Sequence, residues 1–175
     1  FDHALALNDK GEVFAWGSNR HKQASIPREI KGLKNIKDIY AGYQCSLVLT
    51  EDGNIHYFGN KNLMDYNQFH EYQGQIQQLT LTADAVLGLT FDGEVVYLGT
   101  ENNAYSKIPQ NMGKVENITS ASSNIAALNE KGELFIWGNI SSKSNENIAP
   151  EFDSKVVSIF GGRRHYTALT ESGTI

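Results

Sequence analysis

The stretch His3 to Gly17, HALALNDKGEVFAWG, recurs along the whole chain. It returns as Cys45–Gly59 (CSLVLTEDGNIHYFG), Ala85–Gly99 (AVLGLTFDGEVVYLG) and Asn124–Gly138 (NIAALNEKGELFIWG). A further copy opens at His165 with HYTALTESGTI. The turn glycines fall at Gly11, Gly53, Gly93, Gly132 and Gly173, so the steps are 42, 40, 39 and 41 residues. A unit of this size cannot bury its own apolar face and must stack on its neighbours. Two strands around a glycine turn, at a period near 40, restrict the chain to a propeller or a β-solenoid.

The residues of each unit specify strands. Four residues before the turn glycine stands a leucine: Leu7, Leu49, Leu89, Leu128 and Leu169. One residue earlier the position is small or β-branched: Ala6, Val48, Gly88, Ala127 and Ala168. Neighbouring side chains of a strand point to opposite faces. The leucine therefore faces one adjoining unit and the small residue the other. That suits a crowded inner strand. The turns, such as Thr50-Glu51-Asp52-Gly53, supply the hairpin signal. The second strand carries Val13, Ile55, Val95 and Leu134 and ends on Trp16-Gly17, Phe58-Gly59, Leu98-Gly99 and Trp137-Gly138.

A third apolar run follows at 36–41, 76–82, 115–121 and 156–161. Between it and the second strand lie all three prolines, Pro27, Pro109 and Pro150. Proline cannot donate to a strand ladder, so this segment reads as an edge strand. The expectation is an all-β fold: a partial β-propeller of about four blades, each of four antiparallel strands. The units are 1–42, 43–82, 83–122 and 123–162, with the start of a fifth at 163–175. Four units and part of a fifth do not complete a ring of the usual size. The chain is therefore expected to be a piece of a longer one, or a partial propeller completed by another chain.

The Trp-Gly strand end, the Asp/Lys-Gly turn and a Gly-x-x-His lead-in, Gly162-Arg163-Arg164-His165, resemble the regulator of chromosome condensation repeat family. The resemblance runs the length of the chain. It implies a β-propeller, commonly seven-bladed. The units are shorter than those of the eukaryotic founders and look like bacterial and viral members. The family's Gly-Gln-Leu-Gly segment survives only in part, as Asn19 and Gln23 with Lys22 in place of a glycine. Trp-Asp pairs are absent and Gly-Gly occurs once, which disfavours WD-type and kelch repeats.

Catalytic motifs are lacking. There is no phosphate-binding Gly-x-x-x-x-Gly-Lys, no nucleophile elbow and no calcium loop, so no cofactor is expected. The single cysteine, Cys45, sits at a core-facing position and reads as a small buried hydrophobe. His3 and His165 share one repeat position, which gives them a structural explanation. The sequons at Asn117 and Asn139 read as chance matches. No run of 18 apolar residues occurs, so no membrane contact is expected. The net charge of −5 argues against a nucleic-acid partner.

Function then falls to the loops after each Trp-Gly, which differ most between units. The candidate partner-binding residues are Arg20, His21, Tyr66, Phe69, Tyr72 and Tyr105. Aromatic and arginine side chains are the usual interface anchors. The reading is a non-catalytic module that binds a protein partner, as a component of a larger assembly. The alternative is a regulator of an enzyme, either a guanine-nucleotide exchange factor or an inhibitor.

Overall fold

The computed structural model describes residues 2–100, 102–140 and 149–175. Its strands pair antiparallel in five successive sheets. β1 (His3–Leu7) and β2 (Val13–Gly17) form a hairpin. Three three-stranded sheets follow. The first holds β3 (Ile36–Ala41), β4 (Cys45–Thr50) and β5 (Ile55–Gly59). The second holds β6 (Ile76–Leu81), β7 (Val86–Thr90) and β8 (Val95–Tyr97). The third holds β9 (Val115–Ser120), β10 (Asn124–Asn129) and β11 (Leu134–Gly138). β12 (Val156–Gly161) pairs with β13 (Tyr166–Thr170). This is a partial β-propeller. Among the described residues its sheets do not close into a ring. No described helix is long and apolar enough to cross a membrane.

Each third apolar run pairs with the first strand of the next copy, so a sheet straddles the sequence period. This corrects the placement of the leucine-bearing strand. It is the middle strand of its sheet, buried along its length in β4 and β7. The inner strands are β3, β6, β9 and β12, which together line one groove. The alternation of the middle strand works as expected. Leu49, Leu89 and Leu128 pack into the clusters shared with the following sheet. Val48 and Ala127 pack toward the preceding one. A Cβ on Gly88 would come within 3.0 Å of Ile76 Cδ1, so glycine there sets the close approach. Each buried leucine contributes about 1.5–3 kcal/mol.

The expected fourth strand is not formed in the described residues. Pro27 caps a single helical turn, α1 (Arg28–Lys31). The matching stretch of the next unit is α2 (Tyr66–Glu71), capped by Asp65 accepting from Asn67 N. In the third unit it is a short turn at Ala104–Ser106. Proline's fixed φ suits the start of a helix, and the first two segments each bury one side chain between adjacent sheets, Ile30 and Phe69.

The inner edges are sealed by side chains of the preceding sheet. Gln78 Oε1 accepts from Ile118 N at 3.0 Å, and Asn117 Oδ1 from Ile159 N at 3.0 Å. Tyr40 OH accepts from Leu79 N at 3.2 Å. The hairpin turns are also stitched locally. Asn129 Oδ1 accepts from Lys131 N and Glu133 N, and Thr50 Oγ1 from Asn54 N. These are Asx- and ST-turns, which satisfy the turn's own amides.

Candidate functional site

The strands run between two faces. One carries the hairpin turns. The other carries the tight turns that lead from an inner to a middle strand, closed by Gly42 N to Cys45 O and Gly162 N to His165 O. The exits of the second strands join this second face: Asn60 N donates to Gln44 O and Asn139 N to Ser123 O. The exit glycine makes the join possible. Gly59 has φ +110, and a Cβ there would lie 2.6 Å from Gln44 O.

Arg20 and His21 lie on this face, in a cleft of about 310 Å³ that Asp2, Tyr43 and Gln44 also line. Gln23 forms its floor. It is buried, its Oε1 accepts from His21 N at 2.9 Å, and its carbonyl accepts from Ser46 Oγ at 2.7 Å. Ser46 in turn meets His3 Nε2 at 2.7 Å. Two of the three non-glycine residues with positive φ among the described residues, Lys22 and Gln44, flank the cleft. Arg20 and His21 themselves are exposed.

Tyr66, Phe69 and Tyr72 all fall on α2 and its cap, but they differ in role. Tyr66 is exposed, with its ring edge-on to Phe69 at 6.2 Å. Phe69 is buried in the core between the β3–β5 and β6–β8 sheets. Tyr72 is half-buried against that core, and burial raises its phenol pKa. Tyr105 is a core residue in the next cluster. Its carbonyl accepts from Trp137 Nε1 at 2.9 Å, and its hydroxyl from Asn139 Nδ2 at 3.2 Å. Phe69 and Tyr105 are thus spent on packing and present no ring to a partner. Asp2, Tyr43 and Gln44 were not singled out in the sequence; Tyr43 and Gln44 occupy the two middle positions of Gly42-Tyr43-Gln44-Cys45, which aligns with the lead-in Gly162-Arg163-Arg164-His165.

The remaining candidates have structural explanations. Cys45 is buried, which pushes its thiol pKa up to about 11 and keeps it protonated. Asn117 is tied to Gln78 Oε1 through Nδ2 at 3.1 Å, so its amide is occupied. The second sequon ends at Ser141, which lies outside the described residues. No group of three or more His, Cys, Asp or Glu side chains is placed to hold a metal among the described residues.

Residues 1–23 match the model of the regulator of chromosome condensation (RCC1) repeat. The human E3 ubiquitin-protein ligase HERC2 is 24% identical over 99% of this chain and 5% of its own length. The mouse RCC1-like G exchanging factor-like protein is 26% identical over 99% of this chain and 38% of its own. The chain is thus similar to regulator of chromosome condensation repeat proteins along nearly its whole length. The fold agrees. Human WBSCR16 superposes with a TM-score of 0.70 at 20% identity, covering 98% of this chain and 57% of that one. Prp20p of Saccharomyces cerevisiae, described with its binding to Gsp1p and histones, superposes at 0.68 and 17% identity, covering 98% and 55%. The chain thus spans just over half of these solved repeat propellers and less of the two curated relatives.

Proposed function

We propose that this repeat propeller is a non-catalytic module that binds a protein partner through the loops of its lead-in face. The observation that carries the reading is the convergence of Arg20 and His21 with the exposed ring of Tyr43 in one cleft. Tyr66 adds a second exposed ring from the next connection. Arginine and tyrosine beside a preformed hollow are what interface hot spots use. The relatives lend support: Prp20p has protein partners, and the same repeats form a small part of the much longer HERC2. We therefore place the module within a larger assembly. The test is photo-crosslinking in the source cell, with a benzophenone amino acid at Tyr43, Tyr66 or, on the opposite face, Phe91. Adducts from the first two positions and none from Phe91 are expected. Adducts from Phe91 alone, or from none of the three, reject the reading.

A second reading is regulation of an enzyme, by nucleotide exchange on a small GTPase or by inhibition. It draws on the relative named as exchange-factor-like, which aligns with nearly all of this chain. Adding the full chain to small GTPases loaded with a fluorescent GDP analogue tests the exchange form. Unchanged release across them rejects it.

A further inference from the structure

The two faces differ in charge. The five hairpin turns, at 8–12, 50–54, 90–94, 129–133 and 170–174, hold nine carboxylates and two lysines; the connections packed against them add Asp153 and Lys31, Lys107, Lys114 and Lys155, and the face stays acidic. The lead-in face reverses the balance. Among its described residues Arg20, Lys22, Lys61, Arg163 and Arg164 stand against Asp2, Asp65 and Asp84. Five-residue strands separate the faces by about 17 Å. That is about twice the screening length of about 8 Å at physiological salt, so each face presents its own field. The net charge of −5 conceals a two-sided molecule.

We propose that the partner of the lead-in face presents an acidic peptide segment, held by Arg20 and Lys61 and flanked by Tyr43 and Tyr66. This rests on the reading that the face binds a protein. The patch is continuous. Gln44, a wall of the Arg20 cleft, accepts from Asn60 Nδ2 at 3.0 Å, and Lys61 follows directly. Arg20, Lys61, Tyr43 and Tyr66 are all exposed. A guanidinium takes a carboxylate through two parallel hydrogen bonds. The tyrosine rings cover apolar flanks at low entropic cost and keep their hydroxyls wet. A nucleic-acid track is disfavoured, because it needs an unbroken run of cations along a phosphate backbone, and Asp2, Asp65 and Asp84 interrupt the cations of this face.

The test is fluorescence anisotropy of a short labelled Glu- and Leu-containing peptide against the full chain at low salt. Saturable binding is expected, weakening as salt rises. Arg20→Glu with Lys61→Glu should weaken it roughly tenfold or more. Glu51→Lys with Asp92→Lys, on the hairpin face, should not. Thermal midpoints confirm that these exposed substitutions leave the fold intact. No binding, equal or tighter binding of a Lys-containing peptide, a DNA duplex or anionic vesicles, or insensitivity to the Arg20/Lys61 reversal overturns the proposal. If crosslinking from Tyr43 and Tyr66 persists while the peptide fails, the acidic chemistry is wrong and the binding face stands. If crosslinking also fails, the face itself is wrong.

Discussion

Asn117 on one inner strand accepts the backbone N–H of Ile159 on the next through Oδ1 at 3.0 Å, and its own amide reaches back to Gln78 Oε1. A single side chain therefore ties three successive sheets. Ile159 is buried, so its N–H has no recourse to water if the partner is removed. Asn117→Ala should lower stability by about 1–3 kcal/mol. Asn117→Asp keeps the acceptor and should cost less. Urea unfolding of the three proteins checks both, and equal midpoints for Asn117→Ala and the unaltered chain would refute the tie.

The glycines are not equivalent. Gly11 has φ +78 with nothing within 4 Å of a Cβ, so Gly11→Ala meets only backbone strain, about 1 kcal/mol. Gly59→Ala drives a Cβ to 2.6 Å from Gln44 O and adds a displaced turn to that strain. Its cost should exceed about 3 kcal/mol. Thermal melts should rank the two variants in that order.

Tyr66 and Tyr105 separate contact from packing. Tyr66 is exposed, so Tyr66→Ala should leave stability within about 0.5 kcal/mol. Tyr105 is 3% exposed, so Tyr105→Ala should cost about 3–5 kcal/mol. A partner lost through Tyr105→Ala would report unfolding of the third unit's connection rather than a missing contact. Parallel melts and binding assays distinguish the two causes.

His3 makes the first junction sensitive to acid. The Ser46 hydroxyl donates to Gln23 O, so the His3 Nε2–H donates to Ser46, and Nδ1 is buried with no partner. Burial lowers the His3 pKa below its ordinary 6.5. The neutral ring's stabilisation is thus complete above pH 6.5 and declines as pH falls through that value toward the lower folded one. Lowering pH from 7.5 to 5 should reduce the melting temperature of the unaltered chain more than that of His3→Gln. Parallel declines would show that His3 does not carry the effect.

Much of the fold was legible. The recurrence of Leu49, Val48 and Gly53 at fixed offsets is set by local chemistry: alternation along a strand and the φ a tight turn needs. The outer segment was misread because proline suits both an edge strand and a helix start, and the deciding signal was elsewhere. Tyr66, Phe69 and Tyr72 recur at three-residue spacing behind Asp65, which is a capped helical turn rather than a strand. Of the candidate site, Arg20 and His21 could be named from loop variability. Tyr43, from the following unit, could not be joined to them, because the cleft forms only where two units meet.

By itself the sequence determined the repeat, the hairpins and the division of each middle strand between two neighbours, because all three depend on residues close together in the chain. Only the tertiary structure decided that the third apolar run is the inner strand of the next sheet and that Tyr105 is core while Tyr43 is surface. It also decided that the charges sort onto opposite faces. Those outcomes depend on which units abut and on which end of a strand each turn occupies, and a linear pattern of apolar and polar residues carries neither.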